Sequence, residues 1–269
     1  MDETLRLGTI GVGSMGCAIV RGVAGDLLPP EQIWITDIYT PPVDELCEEL
    51  GVNRAADVAQ LVENVDCILY AAKPNNVPEI FAEIAASISA HQWLISIAAG
   101  VPAVKLESYF SPLAPIVRVM PNITISVGAA VSVIAGGSAA TDNHLTLTQA
   151  IFDTVGKSFI RDDTYLNAVT GLSGSGPAFV FLFIEALADA GVQVGLTRTD
   201  AFQLAVQTVL GASKMLEKSE EHPAVLKNLV TTPGGTTAAG LYELESGRLR
   251  AIVADAVIAA TKRAEALAK

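Results

Sequence analysis

Three cysteines in 269 residues are too few, and odd in number, for a disulfide framework. Cys17, Cys47 and Cys67 are widely spaced and form no Cys-x-x-Cys pair, so no zinc site is expected and the usage fits a reducing cytosol. Histidine is equally scarce, and His91, His144 and His222 show no metal-ligand spacing. Basic residues are outnumbered, with 17 Lys and Arg against 29 Asp and Glu. The resulting net charge of −12 repels a phosphate backbone, which argues against nucleic acid as a partner. No basic segment followed by a clean apolar run opens the chain, so no secretory leader is expected. The longest aliphatic–aromatic run, Pro177 to Ile184, is too short to span a bilayer, so no membrane partner is expected and the location read from the sequence is cytoplasmic. Without secretion the sequon Asn122-Ile123-Thr124 carries no meaning.

What the chain does have is apolar residues: 51% of the sequence, with a mean hydropathy of +0.43. That is high for a small monomer and points to apolar surface covered by a partner subunit. The first 162 residues alternate strand-like and helix-like segments. Leu7–Val12, Ile33–Thr36, Cys67–Ala72, Trp93–Ile97 and Ile116–Met120 read as strands. Ser14–Ala24, Val43–Leu50 and Val77–Ala90 read as helices between them, and 127–135, 141–154 and 158–160 as a closing strand–helix–strand unit. Such alternation predicts an α/β fold, a doubly wound parallel sheet covered on both faces. From residue 163 to 269 every periodic segment is helical: 164–172, 178–190, 198–218, 224–229, 236–244 and 249–267. The helix Ala178 to Ala190 is apolar nearly all round and calls for burial on all sides, which in so small a region favours helices interlocked with a second subunit. Two domains are therefore expected, 1–162 and 163–269.

Gly11-Val12-Gly13-Ser14-Met15-Gly16 follows the first strand and opens the first helix. Gly11 permits the tight turn, Gly13 lets a pyrophosphate approach the backbone, and Gly16 lets helix pack on strand. The pattern alone is a weak signal, but strand and helix flank it, and with Ile10 it predicts dinucleotide binding. Asp37 ends the second strand, where an acid accepts hydrogen bonds from the adenosine ribose and repels a 2′-phosphate. It points toward NADH over NADPH; the alternative is a solvated turn aspartate. Ala72, Lys73, Pro74 and Ala99 lie at the ends of later strands, on the edge where doubly wound sheets bind ligands. Gly171-Leu172-Ser173-Gly174-Ser175-Gly176-Pro177 reads as a joint breaking two helices. Pro233, Gly234 and Gly235 make a sharp turn before Thr236 and Thr237, where a helix starts. Free N–H groups and two hydroxyls there make a seat for a small carboxylate, the plainer alternative being a capped helix.

The string Val230 to Glu245 closely resembles the signature of the pyrroline-5-carboxylate reductase family. Ala71-Ala72-Lys73-Pro74, Ile97-Ala98-Ala99-Gly100, Arg118-Val119-Met120-Pro121-Asn122, the run Thr170 to Ala178 and Glu220-Glu221-His222-Pro223 resemble further family landmarks in the family's order. The resemblance implies a Rossmann domain followed by an all-α dimerisation domain. It implies reduction of 1-pyrroline-5-carboxylate to L-proline, the last step of proline synthesis, with NADH or NADPH. The implied active site lies between the cofactor face of one subunit and helices shared with its dimer mate, and the family often assembles its homodimers into decamers. Gly234, Gly235, Thr236 and Thr237 would hold the substrate carboxylate, with Thr237 also hydrogen-bonding the ring nitrogen as the catalytic residue. Glu220 falls on the substrate side. Asp163 stands where the family usually has Glu near the substrate and is placed with the substrate-binding residues on that ground; Asn122-Ile123-Thr124 replaces the more usual Asn-Thr-Pro, and Asp37 stands where many relatives have small or hydroxyl residues.

Rival readings on the same architecture remain. β-Hydroxyacid dehydrogenases resemble one another in using a lysine on the helix that joins the domains, and here no lysine lies between Lys157 and Lys214. A deazaflavin-using reductase is a second rival. A nucleotide-sensing regulator without catalysis is a third, and the intact Pro-Gly-Gly-Thr-Thr turn weighs against it.

Overall fold

The structure is a computed structural model that describes residues 5–268; the reading of the first residues as carrying no leader lies in part outside them. Eight strands form one sheet among the described residues: β1 Leu7–Ile10, β2 Ile33–Thr36, β3 Asn53–Arg54, β4 Cys67–Tyr70, β5 Trp93–Ser96, β6 Ile116–Met120, β7 Ala130–Gly136 and β8 Gly156–Ile160. Their order is β3-β2-β1-β4-β5-β6-β7-β8. Helices α1 Ser14–Val23, α2 Pro41–Leu50, α3 Val58–Asn64, α4 Val77–Ser87, α5 Ala103–Glu107 and α6 Asp142–Asp153 connect them. Short strands of mostly apolar residues buried on both faces are what a helix-covered parallel sheet requires. Alternation along β4 divides the core: Cys67 and Leu69 face the cluster containing Ile19, Val20 and Phe152, whereas Ile68 and Tyr70 face the one containing Leu61, Phe81 and Ile84.

The sheet is the doubly wound, mostly parallel one expected, with one local departure. The sheet is parallel except between β6 and β7, which run antiparallel. Residues 121–129 connect them through a short 3₁₀ turn, Ile123–Val127, and no full helix. A parallel return needs a crossover of about a dozen residues or more, so so short a link turns the chain back alongside itself. β8 then pairs parallel with β7 through α6.

The chain contacts form two compact units. The first runs to Ser175 and includes the chain from Ala260 onward; the second is Gly176–Ala259. The first unit holds the sheet, the short helix α7 (Leu166–Val169) and a π-helical turn, Thr170–Gly174. The Gly-rich segment is thus a wide turn in a continuing helical path, not a break. The second unit is helical: α8 Gly176–Gln193, α9 Arg198–Lys218, α10 Pro223–Leu229, α11 Thr236–Ser246 and the first part of α12, Leu249–Leu267. In the single chain α8 buries only Ala188, while Phe181 is 59% and Leu182 66% exposed. The helical path Asp163–Gln193 spans 31 residues, so by length and composition it is apolar enough to cross a membrane although the run Pro177–Ile184 alone is not.

At the opposite end of the sheet from the glycine loop, His144 caps α6 and stacks on Trp93, with ring centroids 5.1 Å apart. Thr141 N–H donates to its Nδ1 at 3.1 Å. Burial pushes the His144 imidazole below its ordinary value. A base with a lowered folded-state pKa stabilises the fold fully above its unfolded value, about 6.5, and that contribution is lost as pH falls through the folded value. The melting temperature of the wild type is therefore expected to fall between about pH 7.5 and about pH 5.5 more steeply than that of His144→Gln, whose amide keeps the reach back to the cap without titrating. Parallel melting curves for the two proteins would refute this.

Candidate active site

β1, β2, β4, β5 and β6 are mutually parallel, so their carboxyl ends share one edge. Gly11, with φ of +93°, leaves β1 there in a conformation that favours glycine. Its N–H donates to the Thr36 carbonyl of β2 at 2.9 Å. A Cβ on Gly11 would lie 2.6 Å from the Ala72 nitrogen, and one on Gly16 would lie 2.1 Å from the Gly11 carbonyl oxygen. Hence Gly11 and Gly16 are pressed against Ala71 and Ala72, with Ile10 at the end of β1, Val12 in the turn and Met15 in the first turn of α1. Gly13 and Ser14 face outward, and a Cβ on Gly13 would meet no atom within 4 Å. The Cys17 thiol donates to the Val12 carbonyl at 2.8 Å, and burial raises its pKa.

Asp37 belongs to the same cluster. Its Oδ2 accepts the Val12 N–H at 2.8 Å and its Oδ1 accepts the Tyr39 N–H at 2.9 Å. The carboxylate therefore pins the glycine turn to the end of β2, a role the sequence did not disclose. Each oxygen keeps lone-pair capacity for a further donor. Lys73 and Pro74 are exposed after β4, and the buried Tyr70 hydroxyl donates to the Lys73 carbonyl at 2.6 Å. Ala99 is exposed at the end of β5.

The second locus lies in the second unit. Gly234 has φ of +70°, and Gly235 is the N-cap of α11 with no side-chain cap. The Gly235 N–H donates to the Thr232 carbonyl at 3.0 Å, closing the turn. The first N–H groups of α11 have no intrahelical acceptor, and Thr236 and Thr237 carry hydroxyls beside them. Thr236 is exposed and Thr237 half-buried. α1 likewise begins on an uncapped glycine, Gly13. By contrast α3, α6, α9 and α10 are capped by side chains of Asp57, Thr141, Thr197 and His222. Glycine N-caps at α1 and α11 leave backbone donors free for an anion. Glu220 is exposed in the link between α9 and α10.

Asp163 is not an open carboxylate. Its Oδ1 accepts from Nη1 of the buried Arg118 on β6 at 2.6 Å. Neither Arg118 nor Asn122 stood out in the sequence beyond its place in a family landmark; their partners, 45 and 51 residues away, are visible only in the fold.

Comparison with known proteins adds three findings. A family model described as pyrroline-5-carboxylate reductase dimerisation matches residues 163–267, and one described as NADP oxidoreductase coenzyme F420-dependent matches residues 6–100. The pyrroline-5-carboxylate reductase of Arabidopsis thaliana is 42% identical over 268 residues, 99% of this chain and 97% of that protein. Among solved structures, a pyrroline-5-carboxylate reductase from Coxiella burnetii is 34% identical with a TM-score of 0.94, and Plasmodium falciparum pyrroline carboxylate reductase with NADP bound is 31% identical with a TM-score of 0.88; each alignment covers 99% of both chains.

The glycine geometry separates a folding role from a binding role. Gly16→Ala is expected to lower the melting temperature, because its Cβ collides with the Gly11 carbonyl. Gly13→Ala removes a favourable helix N-cap but causes no clash, so it should lower the melting temperature far less than Gly16→Ala, yet weaken dinucleotide affinity at least about tenfold. Titration of both variants with NADH and NADPH, beside thermal melts, checks this; full affinity in Gly13→Ala would contradict it.

Proposed function

The chain belongs to the pyrroline-5-carboxylate reductase family, and from that premise we propose that it reduces 1-pyrroline-5-carboxylate to L-proline, closing proline synthesis. The observation that carries the reading is the turn Gly234–Thr237, a helix start with free donors and a half-buried threonine, on a chain whose glycine turn fits a dinucleotide. That turn leaves open space over the start of α1 at Gly13, and the uncapped N–H groups suit a pyrophosphate. When bound, the dinucleotide supplies the hydride.

The residues of the chain bind and orient. Ile10 to Gly16 and Asp37 would hold the dinucleotide, and Ala72, Lys73, Pro74 and Ala99, on the same sheet edge, would receive its nicotinamide. The N–H groups after Gly234 take the substrate carboxylate, and Glu220 belongs to the substrate side on the family's pattern. The cyclic imine arrives protonated from solution, and its N–H donates to the Thr237 hydroxyl. Addition of hydride to the imine carbon then gives the amine with no further proton transfer. No histidine is needed, and each is engaged elsewhere: His144 and His222 cap helices, and His91 lies 3.8 Å from Asp66.

Residues 1–162 form the dinucleotide domain and 163–269 the substrate and dimerisation domain in this reading. The exposed apolar side chains of α8 support a homodimer, since a second copy would remove them from water. Cytoplasmic homodimers assembling into decamers complete the proposal on the family's pattern.

Thr237→Ala is expected to lower kcat/KM by roughly ten- to a few-hundredfold, about 1.5–3 kcal/mol, with dinucleotide affinity and melting temperature preserved. Thr237→Ser should keep most of the activity. An Ala variant that loses stability but keeps its rate would make Thr237 a structural residue only. Asp37 favours NADH over NADPH in this reading. Asp37→Asn keeps an acceptor for the Val12 N–H while removing the charge, and should narrow the ratio of kcat/KM values; a wild type that strongly prefers NADPH would refute the assignment.

A further inference from the structure

Two landmarks that the reaction did not absorb face each other in the first unit: Arg118–Asn122 at the carboxyl end of β6, and the segment from Asp163 through the π-helical turn Thr170–Gly174. Two bonds join them. Arg118 donates to Asp163, and Asn122 Nδ2 donates to the Ser173 carbonyl at 3.2 Å. A Cβ on Gly174 would lie 2.7 Å from Met120 Cε, so the two strips are in close apposition.

The second bond has a specific cause. In an α-helix the carbonyl of residue 173 accepts from the N–H of residue 177, and residue 177 is proline, which has none. The path widens instead, with the Ser175 N–H donating to the Thr170 carbonyl five residues back at 2.9 Å. Asn122 supplies the donor that Pro177 lacks. Its own carbonyl is occupied by the Thr124 hydroxyl at 2.6 Å, and the Val131 N–H lies 3.4 Å away, so the buried amide is held in one orientation. Arg118 brings a buried guanidinium that needs its carboxylate; a buried charge stripped of its partner is strongly unfavourable.

We propose that Arg118 and Asn122 are positioning residues: they hold the segment 163–174 by its side chain at Asp163 and its bare carbonyl at Ser173, and so fix the point from which the chain enters α8. This rests on the reductase reading, in which the hydride donor belongs to the first unit and the substrate turn to the second. Turnover then requires the chain beyond Ser175, where the substrate turn lies, whereas dinucleotide binding uses the first unit alone. In this role Asp163 acts through Arg118, whose guanidinium engages its Oδ1.

The test is a double-variant cycle on the full-length protein. Asn122→Ala should lower kcat about five- to thirtyfold while NADH affinity stays within about twofold, and hydrogen exchange of the amides in 170–176 should speed up. Adding Pro177→Ala gives residue 177 the missing N–H and should restore both kcat and protection. Asp163→Glu, which keeps the ion pair, should stay near wild type. The proposal is overturned if folded Asn122→Ala keeps the wild-type kcat and exchange. It is equally overturned if the loss of kcat comes with an equal loss of NADH affinity, or if Pro177→Ala rescues neither property. A wild type that does not reduce 1-pyrroline-5-carboxylate would sink the reductase reading instead, and the exchange rescue alone would then decide the joint.

Discussion

The nucleotide edge depends on a missing carbon atom. Gly16 places hydrogen where any other residue would drive a Cβ to 2.1 Å from the Gly11 carbonyl oxygen. That absence lets the first turn of α1 sit on the end of β1. The turn is then gripped from both sides, by Ala71 and Ala72 after β4 and by the Asp37 carboxylate after β2. Because the strands are parallel, these contacts lie on one edge, and the start of α1 is aimed along it before any ligand arrives. Preorganisation of this kind lowers the ordering cost of binding. Asp37 therefore serves the fold and, in the proposed function, the ribose with the same two oxygens.

The elements legible in the sequence were those with a strong local signal. A fully buried parallel strand is a short aliphatic run, and β1, β2, β4, β5 and β6 read that way. β3 has two residues and α5 has five, too short for a periodicity to register, and the seven-residue α3 went unread although α10, of the same length, was read. The reversal at β7 was legible but unread: the strands expected at 116–120 and 127–135 leave too short a link for a parallel crossover, which needs about a dozen residues or more. Within the site the two glycine turns were legible, since their function lies in local backbone geometry. The partners of Asp37, Asp163 and Asn122 were not, because hydrogen bonds across 25 to 51 residues leave no mark on either stretch alone.

The apolar excess of the sequence has a location. The sheet unit buries its aliphatic residues in two layers, whereas the second unit leaves Phe181, Leu182, Phe202 and Leu204 more than half exposed. Exposed aromatic and aliphatic side chains in that density are unfavourable in water and signal a surface made for contact. The same composition explains why the path Asp163–Gln193 satisfies a length-and-hydropathy test for a membrane span. Those side chains lie within residues 163–267, the stretch matched by the family model described as pyrroline-5-carboxylate reductase dimerisation.

The uncapped starts of α1 and α11 unite the two halves of the proposed chemistry. A side-chain cap on a helix contributes about 0.5–2 kcal/mol over alanine, yet glycine at the same position loses only a few tenths. Gly13 and Gly235 thus leave their helices nearly as stable as capped ones while keeping backbone donors unspent. The physics at the two ends is the same, attraction of an anion to a helix N-terminus, so it cannot by itself tell a pyrophosphate from a carboxylate. What differs is the lining. The start of α1 is glycine-bare at Gly13, with its other glycines folded against the strands, and suits a long anion lying along the backbone. The start of α11 carries two adjacent threonines, which crowd the approach and add hydroxyl groups within one helical turn. A small anion with a hydrogen-bonding nitrogen next to it can use both hydroxyls, whereas at the start of α1 one hydroxyl, that of the exposed Ser14, stands beside the backbone donors. In the proposed reaction, then, the division of labour between dinucleotide and substrate rests on side chains at the second and third positions of two otherwise equivalent helix ends.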